Sequence, residues 1–357
     1  MSSSLADLDY EPRWPRLEHW RKRRIGLIGP GNIAQAAHLP AYRKLGLDIV
    51  AAADVNPRVL HEMRQRWGIE STYSNYREML AREHLDIVDI TVHERWSDVK
   101  VDAVRAAAEV GTHVLIQKPL ASSYAQCVTM VEAARAGGIK LAVNQNARWA
   151  PGFYAAKRFI TAGGVGRPRM MTLTARRVPR SGDVLVNFSV HSVDTVRYLL
   201  GETLGREPRT VYALLSEHSD PDQRFVNITL DFGDGIQGCV WDDCSGHLNS
   251  DAPWELHLAG DEGSVRACEY FAGGRGASWA EGWHRGSPQT SIRPRLNGAW
   301  QPDAFGHVMA DLLQAIEEGR EPASSGEDNL KTVRLVFAAR RSHEAGVPLP
   351  PAVGQEP

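Results

Sequence analysis

The chain has 357 residues, 43% of them hydrophobic and 24% charged, with a formal net charge of −2. That length suits two domains with ample material for a core. The near-neutral charge excludes a broad basic face for nucleic acid, and no apolar run is long enough to span a bilayer.

The first residues, MSSSLADLDYEPRWPRLEHWRKRR, contain no apolar stretch of the kind a secretory signal needs. The basic cluster at 21–24 reads as a solvated lead-in to the first strand rather than a targeting patch. Residues 1–22 are therefore expected to form an arm, in which Trp14 and Trp20 pack on a neighbouring subunit or on their own domain. Cys127, Cys239, Cys244 and Cys268 form no Cys-x-x-Cys pair, so neither a zinc ribbon nor a redox pair is expected. A reduced, cytoplasmic protein fits this usage.

From Arg24 the pattern alternates. Strand-like apolar runs occur at 24–29, 48–54, 86–92, 113–117 and 139–145, and helical stretches separate them. Nearly continuous apolar strands alternating with helices predict a doubly wound parallel sheet over 23–146. Gly46, Gly68, Gly111 and Gly137 follow the helical stretches, as helix stops do.

Over 147–357 the rhythm changes. A helix (FYAAKRFITAGG) leads into strand-like RPRMMTLTARRV, then a helical segment around VHSVDTVRYLLG. Alternating runs follow: RTVYALLSEH, RFVNITLDF, GIQGCVWDDC and WELHLAG. This predicts a C-terminal α/β domain with a large, open, mostly antiparallel sheet. Residues 272–300, rich in Gly, Trp, Arg and Ser, read as a loop serving as a lid or an interface segment; two helices then close the chain.

Gly29-Pro30-Gly31-Asn32-Ile33-Ala34 is a G-x-G-x-x-A loop set between a strand and a helix. The first glycine permits the tight turn, the second lets a pyrophosphate approach the backbone, and the alanine lets the helix pack close to the strand. Phosphates would then meet free N–H groups at the helix N-terminus. Asp54 closes the second strand, where a carboxylate binds ribose hydroxyls and repels a 2′-phosphate, favouring NAD over NADP.

Lys118, in HVLIQKPL, lies just past a buried parallel strand, at the carboxyl edge where ligands bind. Spacing alone fits a surface lysine before a proline equally well. Asn187, His191 and Asp194 are spaced four and three apart and share one helix face. That stripe fits a pocket lining with His191 as acid/base; from the pattern alone, a satisfied, half-buried histidine fits slightly better. His93-Glu94 and His191/Asp194 offer no ligand set with metal-binding spacing, so no metal is expected.

Taken together, GLIGPGNIAQAAHLPAY, ADVNP, HVLIQKPLA, NQNARWAPGF, VGRP, VHSVDTVRYLLG, LAGDEGSV and GEDNLKTVRLVFAA resemble, in this order and spacing, the glucose-fructose oxidoreductase / inositol dehydrogenase / rhizopine-catabolism (Gfo/Idh/MocA) family. The resemblance runs from Arg24 to Pro348. It implies an NAD-binding Rossmann domain followed by a substrate-binding domain whose open sheet forms a homo-oligomer interface. It assigns catalysis to Lys118 and His191. Cofactor contacts fall to Gly29, Gly31, Asn32, Ile33, Asp54, Thr91, Gln117, Lys118 and Asn146, and substrate contacts to Lys118, Trp149, Asn187, His191 and Asp194. Arg148 is expected to bound the pocket with Trp149; Arg176 and Arg177 would favour an acidic substrate if they face the cleft.

The implied reaction is hydride transfer between a ring secondary alcohol of a sugar, cyclitol or glycoside and the nicotinamide. The resemblance also admits two other activities: glycoside cleavage through transient oxidation, or non-catalytic NAD sensing. Three departures stand out. Gln117 replaces the glutamate usual before the lysine, and Asn187 replaces the aspartate usual four before the histidine. TVHERWSDVK replaces a loop that usually carries a proline and a later histidine.

Overall fold

A computed structural model describes residues 9–10, 22–176, 183–216, 225–244, 253–270, 277–287 and 289–352. Trp14, Trp20 and Arg177 lie outside the described residues. The chain divides into two compact units, one of residues 13–146 with 301–330, the other of 1–12, 147–300 and 331–357.

In the first unit, β1 (Ile25–Ile28), β2 (Ile49–Ala53), β3 (Ser71–Tyr73), β4 (Ile87–Ile90), β5 (His113–Ile116) and β6 (Leu141–Val143) form one sheet. All pairs are parallel, in the order β3-β2-β1-β4-β5-β6. This is the doubly wound order of a dinucleotide-binding sheet. Between the strands run α1 (Leu39–Leu45), α2 (Pro57–Trp67), α3 (Tyr76–Glu83), α4 (Ser97–Glu109) and α5 (Tyr124–Ala136). Asn56, Asn75 and Ser123 cap α2, α3 and α5 by accepting hydrogen bonds from Arg58, Arg77 and Gln126 N–H groups. The stop after α5 differs from expectation by one residue: Gly137 keeps a helical φ of −80°, and Gly138 makes the left-handed turn at +65°.

Residues 301–330 pack into this same unit, although a sequential division would assign them to the C-terminal domain. The cause is direct bonding. Ser324 O accepts from Val143 N at 2.8 Å, Gln301 donates to Ala36 O at 2.7 Å, and Lys44 pairs with Asp303 at 2.5 Å. The Phe305 ring, in α9 (Phe305–Glu318), sits 5.1 Å from that of His38.

The second unit holds α6 (Pro151–Thr161), α7 (Val190–Val196), α8 (Glu202–Leu204) and most of α10 (Gly326–Ala345). Its sheet comprises β7 (Pro168–Arg176), β8 (Thr210–Leu215), β9 (Phe225–Gly233), β10 (Ile236–Asp243), β11 (Trp254–Gly260), β12 (Gly263–Glu269) and β13 (Trp279–His284). The order is β13-β12-β11-β7-β10-β9-β8, antiparallel throughout except for the parallel β7–β10 pair. One face carries α6 over β12 and β13 and α7 over β7 and β10. The approach of α7 is so close that a Cβ on Gly238 would lie 2.3 Å from Val196 Cγ1. The expectation of a loop over 272–300 is corrected, since β13 occupies Trp279–His284. Its glycine and flanking tryptophans blur the two-residue alternation, but it pairs with β12 along one side, and Gly282 exchanges bonds with Ile292 on the other.

Glu269, at the end of β12, is completely buried. Its carboxylate accepts from Gly152 N at the start of α6, and from Ser278 Oγ at 2.7 Å. Burial outweighs these bonds and pushes its pKa up to about 7. A raised carboxyl pKa stabilises the fold fully below the unfolded value, and that contribution is lost as pH rises through the folded value. Glu269→Gln should therefore remove a fall in unfolding free energy of about 3 kcal/mol between pH 4.5 and 7. Urea titrations of both proteins across that range test this; parallel pH profiles would count against it.

Candidate functional site

In the first unit, the chain leaves β1 through Gly29 at φ +70°, with its N–H bonded to Ala53 O at 2.9 Å. A Cβ at Gly29 would meet Val92 Cγ2 at 2.8 Å, so both backbone and space demand glycine. Gly31 is different. A Cβ there would find nothing nearer than Gly29 O at 3.9 Å, so no protein neighbour explains the glycine. The bare backbone at Gly31 suits a ligand that comes close, and the pyrophosphate of a dinucleotide fits that cradle. Asn32 is exposed, Ile33 half-buried and Ala34 fully buried under the helix. Thr91, at the end of β4, donates its hydroxyl to Gly29 O at 2.7 Å and fixes the loop from below.

Asp54 follows β2 and is half-buried, its Oδ1 accepting from Asn56 N at 2.7 Å. Desolvation raises its pKa, and the Asn56 bond opposes that. A carboxylate so placed is an acceptor for ribose hydroxyls.

Gln117 continues β5, with its N–H on Ile90 O at 2.8 Å, and half-buried Lys118 follows through a cis peptide to Pro119. Behind them lies a buried polar chain that the sequence reading missed. Asn144 donates to Gln117 Oε1 at 2.7 Å and to His38 Nε2 at 3.2 Å. That donation leaves His38 Nδ1 carrying the proton toward Asp89 Oδ2 at 2.7 Å, where Tyr42 also donates at 2.5 Å. Burial, then Asp89, holds the Tyr42 phenol well above its usual range. Asp89 sits inside β4 between two neighbouring strands. An aspartate within DIVDI was the available signal, since a central parallel strand tolerates such a group only with partners. Asn146, also buried, donates to Asn144 O at 3.3 Å.

After β4 the unusual loop forms a short 3-10 turn, Glu94–Trp96, and leaves the Trp96 side 56% exposed beneath the Arg95 guanidinium.

In the second unit, His191 lies on α7 with 3% exposure, edge-on to Trp254 at 6.2 Å. Trp254 in turn meets Phe188 at 5.3 Å and Trp300 at 5.0 Å, giving an aromatic wall. Asn187, in the helical turn preceding α7, is half-buried. Trp149 is half-buried and its carbonyl accepts from Tyr10 at 3.3 Å. Arg176 ends β7, half-buried.

Asp194 differs from its companions on the stripe. It is wholly buried, and Arg148 grips it bidentately, Nε and Nη2 each at 2.7 Å from a carboxylate oxygen. Thr332 Oγ1 adds a third bond at 2.7 Å. Both carboxylate oxygens thus accept hydrogen bonds from the protein itself. Arg148 is itself buried, with the Tyr198 ring centroid 5.2 Å from its guanidinium. Helix spacing placed Asp194 beside His191 correctly but carried no signal of the arginine arriving from another segment. Among the described residues, no cluster of three or more His, Cys, Asp or Glu side chains is arranged to hold a metal ion.

Removing one partner of a buried pair strands the other charge. Arg148→Met should cost about 3–5 kcal/mol of unfolding free energy, and Thr332→Val only about 1 kcal/mol. Denaturant midpoints at unchanged slope would report this, and equal losses in the two variants would contradict it.

Two family models match the chain: an oxidoreductase family with an NAD-binding Rossmann fold over residues 23–145, and the GFO/IDH/MocA C-terminal domain over 153–266. The D-apiose dehydrogenase of Paraburkholderia graminis is 28% identical, covering 90% of this chain and 87% of that protein. The inositol 2-dehydrogenase of Rhizobium meliloti is 26% identical, covering 89% and 96%. Among solved structures, an Agrobacterium radiobacter oxidoreductase in complex with NAD+, L-tartaric acid and magnesium aligns at a TM-score of 0.79 and 23% identity, covering 92% and 98%. The aldose-aldose oxidoreductase of Caulobacter crescentus complexed with glycerol aligns at 0.78 and 21%, covering 92% and 99%.

Proposed function

Because the chain belongs to the GFO/IDH/MocA family of oxidoreductases, with its NAD-binding Rossmann fold, we propose that it reversibly oxidises a ring secondary alcohol of a sugar, cyclitol or glycoside, using NAD. The observation that carries this is the bare backbone of Gly31 on the same carboxyl edge of the sheet as Asp54 and Lys118. The relatives' names, apiose and inositol dehydrogenases, support the alcohol class and net oxidation.

When bound, the nicotinamide supplies the hydride acceptor. Gly29, Gly31, Asn32 and Ile33 hold the diphosphate, Asp54 the adenosine ribose, and Thr91, Gln117 and Asn146 the nicotinamide end. Asp54 favours NAD over NADP by repelling a 2′-phosphate. Lys118 donates a hydrogen bond to the reacting oxygen and stabilises negative charge that develops there. His191 accepts the hydroxyl proton, with Asn187 and Trp149 beside the substrate. Asn187 brings a neutral amide to the position where the family usually has a carboxylate. Asp194 acts on this chemistry through Arg148, by holding the helix that carries His191.

Absorbance at 340 nm, screened over inositols, pentoses and glycosides with NAD, tests the proposal. Wild type should form NADH from NAD, and form NADPH from NADP more slowly, because the Asp54 carboxylate meets the added phosphate. Lys118→Ala and His191→Ala should lower kcat by about 10²–10⁴-fold while NAD affinity persists. Undiminished turnover in either variant, or glycoside cleavage without NADH, would refute it.

We further propose that the chain forms a homo-oligomer through the uncovered face of the seven-stranded sheet. Trp241, 57% exposed, and Leu214, 52% exposed, flank Asn227 there across neighbouring strands. Trp241→Arg should shift the mass measured by light scattering toward the monomer; a wild type that is itself monomeric would sink the idea.

A further inference from the structure

The Lys118 turn is held from behind by a second lysine. Lys100 projects from α4 with 0% exposure. Its Nζ donates to Gln117 O at 2.7 Å and to Pro119 O, the carbonyls on either side of Lys118. One turn earlier on α4, Ser97 Oγ accepts from Ser122 N at 3.0 Å and bonds Ser122 Oγ at 2.8 Å. The helix thus grips both the turn and the segment leaving it.

A buried amine is an expensive way to fill space. Burial lowers its pKa to about 7, while Cys127 on α5 and Glu94 before α4, the titratable groups that face it, act in the opposite direction. A methionine would occupy similar volume without that cost. What only the amine provides is two donors aimed at two carbonyls. The neutral amine keeps two N–H groups, so both bonds survive deprotonation. Lys100 thus pins the 117–118 and 119–120 peptide planes that bracket Lys118, and this fixes the direction in which its Cα–Cβ bond leaves the backbone.

We propose that Lys100 is a positioning residue: its bonds to the Gln117 and Pro119 carbonyls aim Lys118 at the reacting oxygen. This rests on the role assigned to Lys118 above. A displacement of about 1 Å in such a group is enough for a 10²-fold loss of rate.

The test compares wild type with Lys100→Met. Lysines are dimethylated with ¹³C-formaldehyde, and the Lys118 signal is assigned by its loss in Lys118→Ala. In wild type, free of NAD, that signal should stand apart from those of surface lysines; in Lys100→Met it should merge with them. With NAD and an alcohol that wild type oxidises, Lys100→Met should lose about 100-fold in kcat, with KM for the alcohol and Kd for NAD within about threefold. If Lys100→Met does not fold, Lys100→Gln, which keeps a donor for one carbonyl, takes its place with a smaller shift and loss. An unmoved Lys118 signal with kcat retained overturns the proposal. So does a parallel fall of kcat, NAD affinity and melting temperature, which marks general support only. A moved signal in a protein whose wild type oxidises no alcohol supports the clamp and overturns only the reaction assigned to the site.

Discussion

Carboxylates cut off from water must be answered, and three of them organise this molecule. Asp89 meets donors from His38 and Tyr42 in the middle of a parallel sheet. Asp194 meets a full cation, Arg148, reinforced by a hydroxyl. Glu269 has no cation within its bonding set, so it leans toward its protonated form instead. Each answer ties together segments distant in sequence, because no local stretch supplies the donors. Each also ends near something of consequence. The Asp89 chain reaches Gln117, next to Lys118. The Asp194 pair secures the helix carrying His191, and Glu269 caps the start of α6.

Local patterns in the sequence were enough for the parallel sheet and its ligand-binding edge. Apolar runs such as IGLI and IVAAA, interrupted by helices, leave few alternatives to buried parallel strands. The G-x-G-x-x-A loop and Asp54 were legible for the same reason, since each requirement is met within a few residues. β3 was not legible: it is three half-buried residues with no period to detect. β12 escaped separate notice because it follows β11 through a tight turn, and β13 because glycine and tryptophan obscure its alternation.

The site residues divide along the same line. Gly29 and Gly31 announce themselves through backbone chemistry. Lys100 does not, because a lysine in VKVDAVRAAAE reads as a solvated helix face until the acceptors from Gln117 and Pro119 are in place. The role of Asp194 was likewise hidden: its partner Arg148 lies in a different segment, and spacing within one helix carries no information about what arrives from outside it.

The path of the chain through its two units has a bearing on biosynthesis. The Rossmann sheet is complete in sequence by Val143, yet Ser324, Asp303 and Phe305, which bond or stack onto its elements, emerge from the ribosome far later. In between, the whole seven-stranded sheet is translated. A nascent chain carrying only the first 146 residues therefore still lacks the Phe305 ring beside His38 and the bonds that Asp303 and Ser324 make with Lys44 and Val143. By the same token, a nucleotide-binding fragment cut at that boundary would lack its closing layer, and excision or grafting of this module would have to bring residues 301–330 along.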